Sequence, residues 1–149
     1  MSNPALIENE RTLPFAREEV FRAFADPGRL ARWWGPAGFT NEIHAFELRP
    51  GGRWRLTMTA PDGTRFENTS RFEEIEPPAR IVYRHEDPVH AFRMSIRLEP
   101  AGERATRLTW RMAFDDPEEA RRVRAVVAAA NEQNFDRLQQ HLASDPSSA

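Results

Sequence analysis

Between residues 40 and 114 the hydrophobic positions recur at every second residue. Trp54, Leu56 and Met58 alternate with Arg53, Arg55 and Thr57. Phe92, Met94, Ile96 and Leu98 alternate with Arg93, Ser95 and Arg97, and Leu108, Trp110, Met112 and Phe114 with Arg107, Thr109 and Arg111. A period of two puts one set on each face of a strand, so these segments read as half-buried antiparallel strands. Turn chemistry separates them: Pro50-Gly51-Gly52, Pro61-Asp62-Gly63, Pro77-Pro78, Asp87-Pro88 and Pro100-Ala101-Gly102. The pattern predicts six strands, near residues 40–48, 52–59, 65–75, 80–86, 92–99 and 105–114.

The period changes in residues 117–142. On a helical wheel Ala120, Val123, Val127, Ala130, Leu138 and Leu142 share one stripe, while Arg122, Glu132, Asp136 and Gln139 point away. Asp116 is placed to cap this helix, Pro117 suits its first position, and Glu118 and Glu119 oppose the positive helix end. Upstream, residues 6–13 read as a strand anchored by Ile7 and ended by Pro14. Residues 17–25 carry Val20, Phe21 and Phe24 on one helical side, and Asp26-Pro27 starts a second short helix through Trp33. Gly35 and Pro36 stop that helix, and the aromatics Trp33, Trp34 and Phe39 require the following loop to fold back and pack.

The predicted order is β-α-α-β6-α, an α+β fold in which one curved antiparallel sheet has one apolar face and one long helix to cover it. One domain is expected over residues 1–143, followed by a disordered tail at 144–149.

Composition narrows the chemistry. The 149 residues contain no Cys and no Lys; all 21 basic residues are Arg. Disulfides, thiolate metal sites, cysteine nucleophiles, Schiff-base lysines and P-loops are thereby excluded. Net charge is −2, with the two signs interspersed, so a nucleic-acid partner has little electrostatic support. Residues 1–10 lack a signal-peptide pattern and no window reaches membrane-spanning length, so a cytoplasmic location is expected.

The element order, with Val20-Phe21-Arg22-Ala23-Phe24, Trp33-Trp34-Gly35-Pro36, the run from Arg49 to Trp54, Asp62-Gly63 and the run from Glu74 to Val82, resembles the START-like (SRPBCC) superfamily. Within it the match is to the branch of activator of Hsp90 ATPase homologue 1-like proteins. The resemblance implies a helix-grip fold, in which a bent sheet wraps the C-terminal helix and often leaves an apolar pocket. Relatives often place Gly-Trp in the last helix where Ala130-Asn131 stand here. Losing that Trp implies a pocket of different volume and polarity.

The side chains expected to line such a pocket follow from strand parity and the helix stripe. They are Trp54, Met58, Phe66, Asn68, Ser70, Phe92, Met94 and Trp110 from strands, and Val127, Asn131 and Asn134 from the helix. An apolar cavity with a few convergent polar groups suits a small hydrophobic or amphipathic ligand. The same apolar residues serve equally as plain core, and the amides can bond to one another, to backbone or to water. Buried Trp54 and Trp110 would need acceptors for their indole N–H groups, and a ligand carbonyl could serve.

Other chemistry is thinly supported. His85 and His90 match no strong metal-ligand pattern, His44 could face pocket or solvent because the register of residues 40–48 is ambiguous, and His141 suits a helix C-terminus. No Ser carries a nucleophile-elbow motif, and nothing calls for a cofactor. Three functions stay open: a ligand-binding domain without catalysis, a chaperone-regulating interaction module as the family name suggests, and an enzyme acting on polyketide-like substrates. Trp33-Trp34 and the Arg49–Arg53 turn could form a partner surface, and an unpaired sheet edge could join two copies as a homodimer.

Overall fold

The computed structural model describes residues 5–87 and 91–144. The alternating segments form seven strands: β1 (Leu6–Leu13), β2 (Thr40–Phe46), β3 (Arg53–Thr59), β4 (Arg65–Glu76), β5 (Arg80–Asp87), β6 (Phe92–Pro100) and β7 (Thr106–Phe114). Helices α1 (Arg17–Ala25) and α2 (Pro27–Trp33) follow β1, and α3 (Pro117–Ser144) ends the chain. All strand pairings are antiparallel, in the order β1-β7-β6-β5-β4-β3-β2. The chain therefore crosses from one sheet edge to the other between β1 and β2. Helices α1 and α2 make that crossing.

The caps form where the sequence sets them. Asp26 Oδ1 accepts the Gly28 N–H at 2.9 Å, and Asp116 Oδ1 accepts the Glu118 N–H at the same distance. Alternation then delivers the core. Leu98, Leu108 and Trp110 from the sheet meet Val20, Phe24, Leu30 and Trp33 from the short helices and Phe135, Leu138 and Leu142 from α3, all of them buried. Burying each such side chain contributes about 1.5–3 kcal/mol.

That burial is unevenly spread along α3. Its C-terminal half carries Phe135, Leu138 and Leu142, whereas no residue from Arg121 to Ala130 is buried. The first half is tied to β1 by polar bonds instead. Arg124 Nη1 donates to the Leu6 carbonyl at 2.6 Å and Asn9 Nδ2 to the Ala128 carbonyl at 3.1 Å. Arg11, also directed from β1 toward α3, pairs with Glu132 at 3.0 Å and Asp136 at 2.8 Å. The helix is thus fastened at one sheet edge and at its C-terminal end, and it stands clear of the strands in the middle of the sheet.

Candidate functional site

A cavity of about 410 Å3 lies in that clearance. Its floor is built by the inward positions of β3 to β7. Trp54, Leu56 and Met58 come from β3; Phe66, Asn68 and Ser70 from β4; Tyr83 and His85 from β5; Phe92 and Met94 from β6; and Trp110 and Met112 from β7. Ala130, Asn131 and Asn134 of α3 form the roof, and Trp34, Gly35, Pro36 and Phe39 close one side. Phe66 is exposed and its ring stacks on Phe39 at 6.2 Å, which locates the mouth.

Ten of the eleven residues expected on the wall are found there. Val127 is the exception. It is half-buried against the core, on the helical turn where Asn9 of β1 bonds the Ala128 carbonyl. Ala130, one turn further on, takes its place on the wall.

The polar groups divide by layer. On α3, Asn134 Oδ1 accepts the Gly35 N–H at 3.1 Å and Nδ2 donates to the Trp33 carbonyl at 2.9 Å. Asn131 Nδ2 donates to Asn9 Oδ1 at 3.0 Å and lies 3.4 Å from the Met112 sulfur. These amides hold the structure together. Arg137 adds to the clamp: its guanidinium donates to the carbonyls of Arg32, Trp34, Gly35 and Pro36, and burial lowers its pKa. The turn that walls the cavity is therefore fixed from α3.

On the sheet, Asn68 Nδ2 donates to the Phe66 carbonyl at 3.1 Å, which turns Oδ1 toward His85 Nε2 at 2.9 Å. The amide orientation makes that imidazole nitrogen the donor. His85 also stacks on Phe92, with centroids 4.8 Å apart. Burial raises the pKa of Tyr83, whose phenol stays protonated. Among the described residues, no Asp, Glu or Arg side chain is on the wall.

Two indole donors are left without acceptors: Trp54 Nε1 and Trp110 Nε1 are buried and make no hydrogen bond. Trp33 Nε1 donates to the Ala23 carbonyl at 3.0 Å. Both residues of the Trp33-Trp34 pair are buried, Trp33 in the core and Trp34 on the cavity wall, which removes them as a partner surface.

Strand parity could not place His44 or His85. A register shift between Ile43 and Ala45 leaves His44 exposed, and it bonds Thr57 of β3 and not the cavity. The apolar run Ile81-Val82-Tyr83 concealed which face His85 takes. His90 lies outside the described residues, among which no cluster of three or more metal-ligating side chains occurs. Nor is any helix among them long and apolar enough to cross a membrane.

A bent antiparallel sheet closed over a C-terminal helix, with the pocket between them, defines a helix-grip domain. Residues 14–143 match the family described as Activator of Hsp90 ATPase homolog 1-like protein, and the chain belongs to that family, within the START-like superfamily. The fold is similar to a crystal structure from Nitrosomonas europaea, at 20% identity and TM-score 0.87 over 99% of each chain. It is also similar to a solution structure from Arthrobacter aurescens, at 22% identity and TM-score 0.88 over 98% of this chain and 91% of that one. A crystal structure from Chromobacterium violaceum aligns at 26% identity and TM-score 0.78 over 96% of this chain and all 100% of that one. No curated protein matches the chain.

Proposed function

We propose that this protein binds a small hydrophobic or amphipathic molecule between α3 and the sheet. The observation that carries the reading is the cavity of about 410 Å3 with a mainly aromatic and aliphatic wall and, among the described residues, no carboxylate or guanidinium on it. Small-molecule sites have this size and make-up. Filling such a space with apolar ligand removes surface from water at about 25 cal/mol per Å2.

The neutral fluorophore N-phenyl-1-naphthylamine tests the reading. Saturable enhancement with one site per chain is expected, together with a rise in melting temperature. Ala130→Phe, placed on the wall, abolishes both, whereas Val126→Phe, on the exposed side of α3, changes neither. Failure of the probe to saturate, or equal binding by the filled variant, overturns the proposal.

A further inference from the structure

What the ligand must offer is written in the two unmet donors, an inference that rests on the binding reading above. Trp54 on β3 stands directly opposite Ser70 on β4, and Ser70 directly opposite His85 on β5. All three line the cavity. Trp54 and Trp110 both lean on the Trp34 ring, with centroids 4.9 and 5.3 Å away, so the two rings whose buried N–H groups lack acceptors belong to one three-indole wall. A buried donor left unmet costs about 1–3 kcal/mol, and an acceptor brought in by a ligand recovers part of that cost. In the core, by contrast, Trp33 has the Ala23 carbonyl.

The wall amides do not compete for this role, and the hydroxyls of Ser70 and Tyr83 lie on the same wall. Both ends of the Asn134 amide are taken by backbone, Asn131 Nδ2 by Asn9, and Asn68 sits between Phe66 and His85. A charged ligand group would lose its hydration on this largely apolar wall, to which no Asp, Glu or Arg among the described residues contributes.

We propose that the cavity selects a neutral, mainly apolar molecule bearing a carbonyl-type hydrogen-bond acceptor. The acceptor oxygen sits against the Trp34, Trp54 and Trp110 wall and receives indole N–H groups, and the apolar body extends toward Met58 and Phe66 at the mouth.

Two probes of similar shape isolate the acceptor: 2-acetylnaphthalene, and 2-isopropylnaphthalene, in which a methyl replaces the ketone oxygen. The chain has four Trp, hence four indole N–H signals in a nitrogen-15 correlation spectrum. The ketone is expected to bind about tenfold more tightly than the hydrocarbon, one neutral hydrogen bond. It should also move the Trp54 and Trp110 signals downfield while Trp33 stays in place. Trp54→Phe and Trp110→Phe should narrow the preference without removing hydrocarbon binding, and the spectrum of the unaltered chain decides alone if those variants do not fold. Equal affinities with unmoved indole signals overturn the acceptor and leave the binding reading standing. Binding by neither probe sinks the binding reading itself. Tighter binding of 2-naphthoate than of the ketone overturns the neutral-ligand assignment.

Discussion

Asn134 grips Gly35 across the cavity roof: its Oδ1 accepts the Gly35 N–H at 3.1 Å while its Nδ2 holds the adjoining Trp33 carbonyl at 2.9 Å. One helix side chain thus supplies both bonding partners to the turn that walls the site. Asn134→Leu leaves a buried N–H and a buried carbonyl facing hydrocarbon, a loss expected to be about 1–3 kcal/mol in urea denaturation. Gln133→Ala, which removes only the exposed bond to the Ala37 N–H, should stay within about 0.5 kcal/mol of the parent. Equal effects from the two would mean that the turn holds itself.

The opposite face of the sheet has its own polar chain. Thr57 Oγ1 donates to Glu67 Oε2 at 2.8 Å, which leaves its lone pairs for the His44 Nε2–H at 2.7 Å. Thr57 is buried although its strand neighbours Leu56 and Met58 point to the cavity. Thr57→Val keeps the shape and breaks both bonds, so a loss of about 1 kcal/mol is expected with N-phenyl-1-naphthylamine affinity unchanged. A drop in affinity would show that the two faces are coupled.

Much of this was legible because it rests on local periodicity. Alternation in residues 53–58 and 92–98 fixed which side chains face inward, and the Asp26-Pro27 and Asp116-Pro117 pairs fixed two helix starts. What depends on how two elements meet was not legible. The stripe through Val127 and Ala130 is one stripe on a wheel, yet Val127 packs half-buried against the core and Ala130 lines the cavity. Phe135 is completely buried inside the polar-looking run from Glu132 to Asp136, where a single ring carries little periodic signal. The amides Asn131 and Asn134 were found as wall residues, but their use as structural ties required knowing that Asn9 and the Trp33–Gly35 backbone come within reach.

On the outer face Arg53, Arg71, Arg84 and Arg93 stand directly opposite one another across β3, β4, β5 and β6. Like charges so placed repel. Each has an acidic partner: Glu47 for Arg53, Glu86 for Arg71, Asp115 for Arg84 and Glu73 for Arg93. The bond from the Arg53 backbone N–H lowers the Glu47 pKa, and the bond from Arg84 lowers that of Asp115. A carboxyl with a lowered folded-state pKa adds stability above its unfolded value, and that stability disappears as pH falls through the folded value. Melting temperature should therefore decline on acidification below the ordinary carboxylate range, more steeply at low salt. Asp115→Asn should lower it at neutral pH and flatten the acid slope. Parallel parent and variant curves would remove the arginine row as the cause.

The turn at Gly35 carries a steric condition on its cavity side. Gly35 has φ +96°, a conformation L side chains rarely adopt, and a Cβ there would sit 2.8 Å from Met58 Cε and 3.3 Å from Phe39 Cβ. Gly35→Ala therefore meets two separate obstacles, backbone strain of about 1–3 kcal/mol and a clash with the flexible end of a wall residue. Met58→Ala removes only the second. In a double-mutant cycle the pair should be less destabilising than the sum of its parts, by the clash energy alone, while the backbone share persists. Strict additivity would mean that Met58 swings away at no cost, in which case the wall beside Gly35 is soft and the turn's glycine is required by its φ alone.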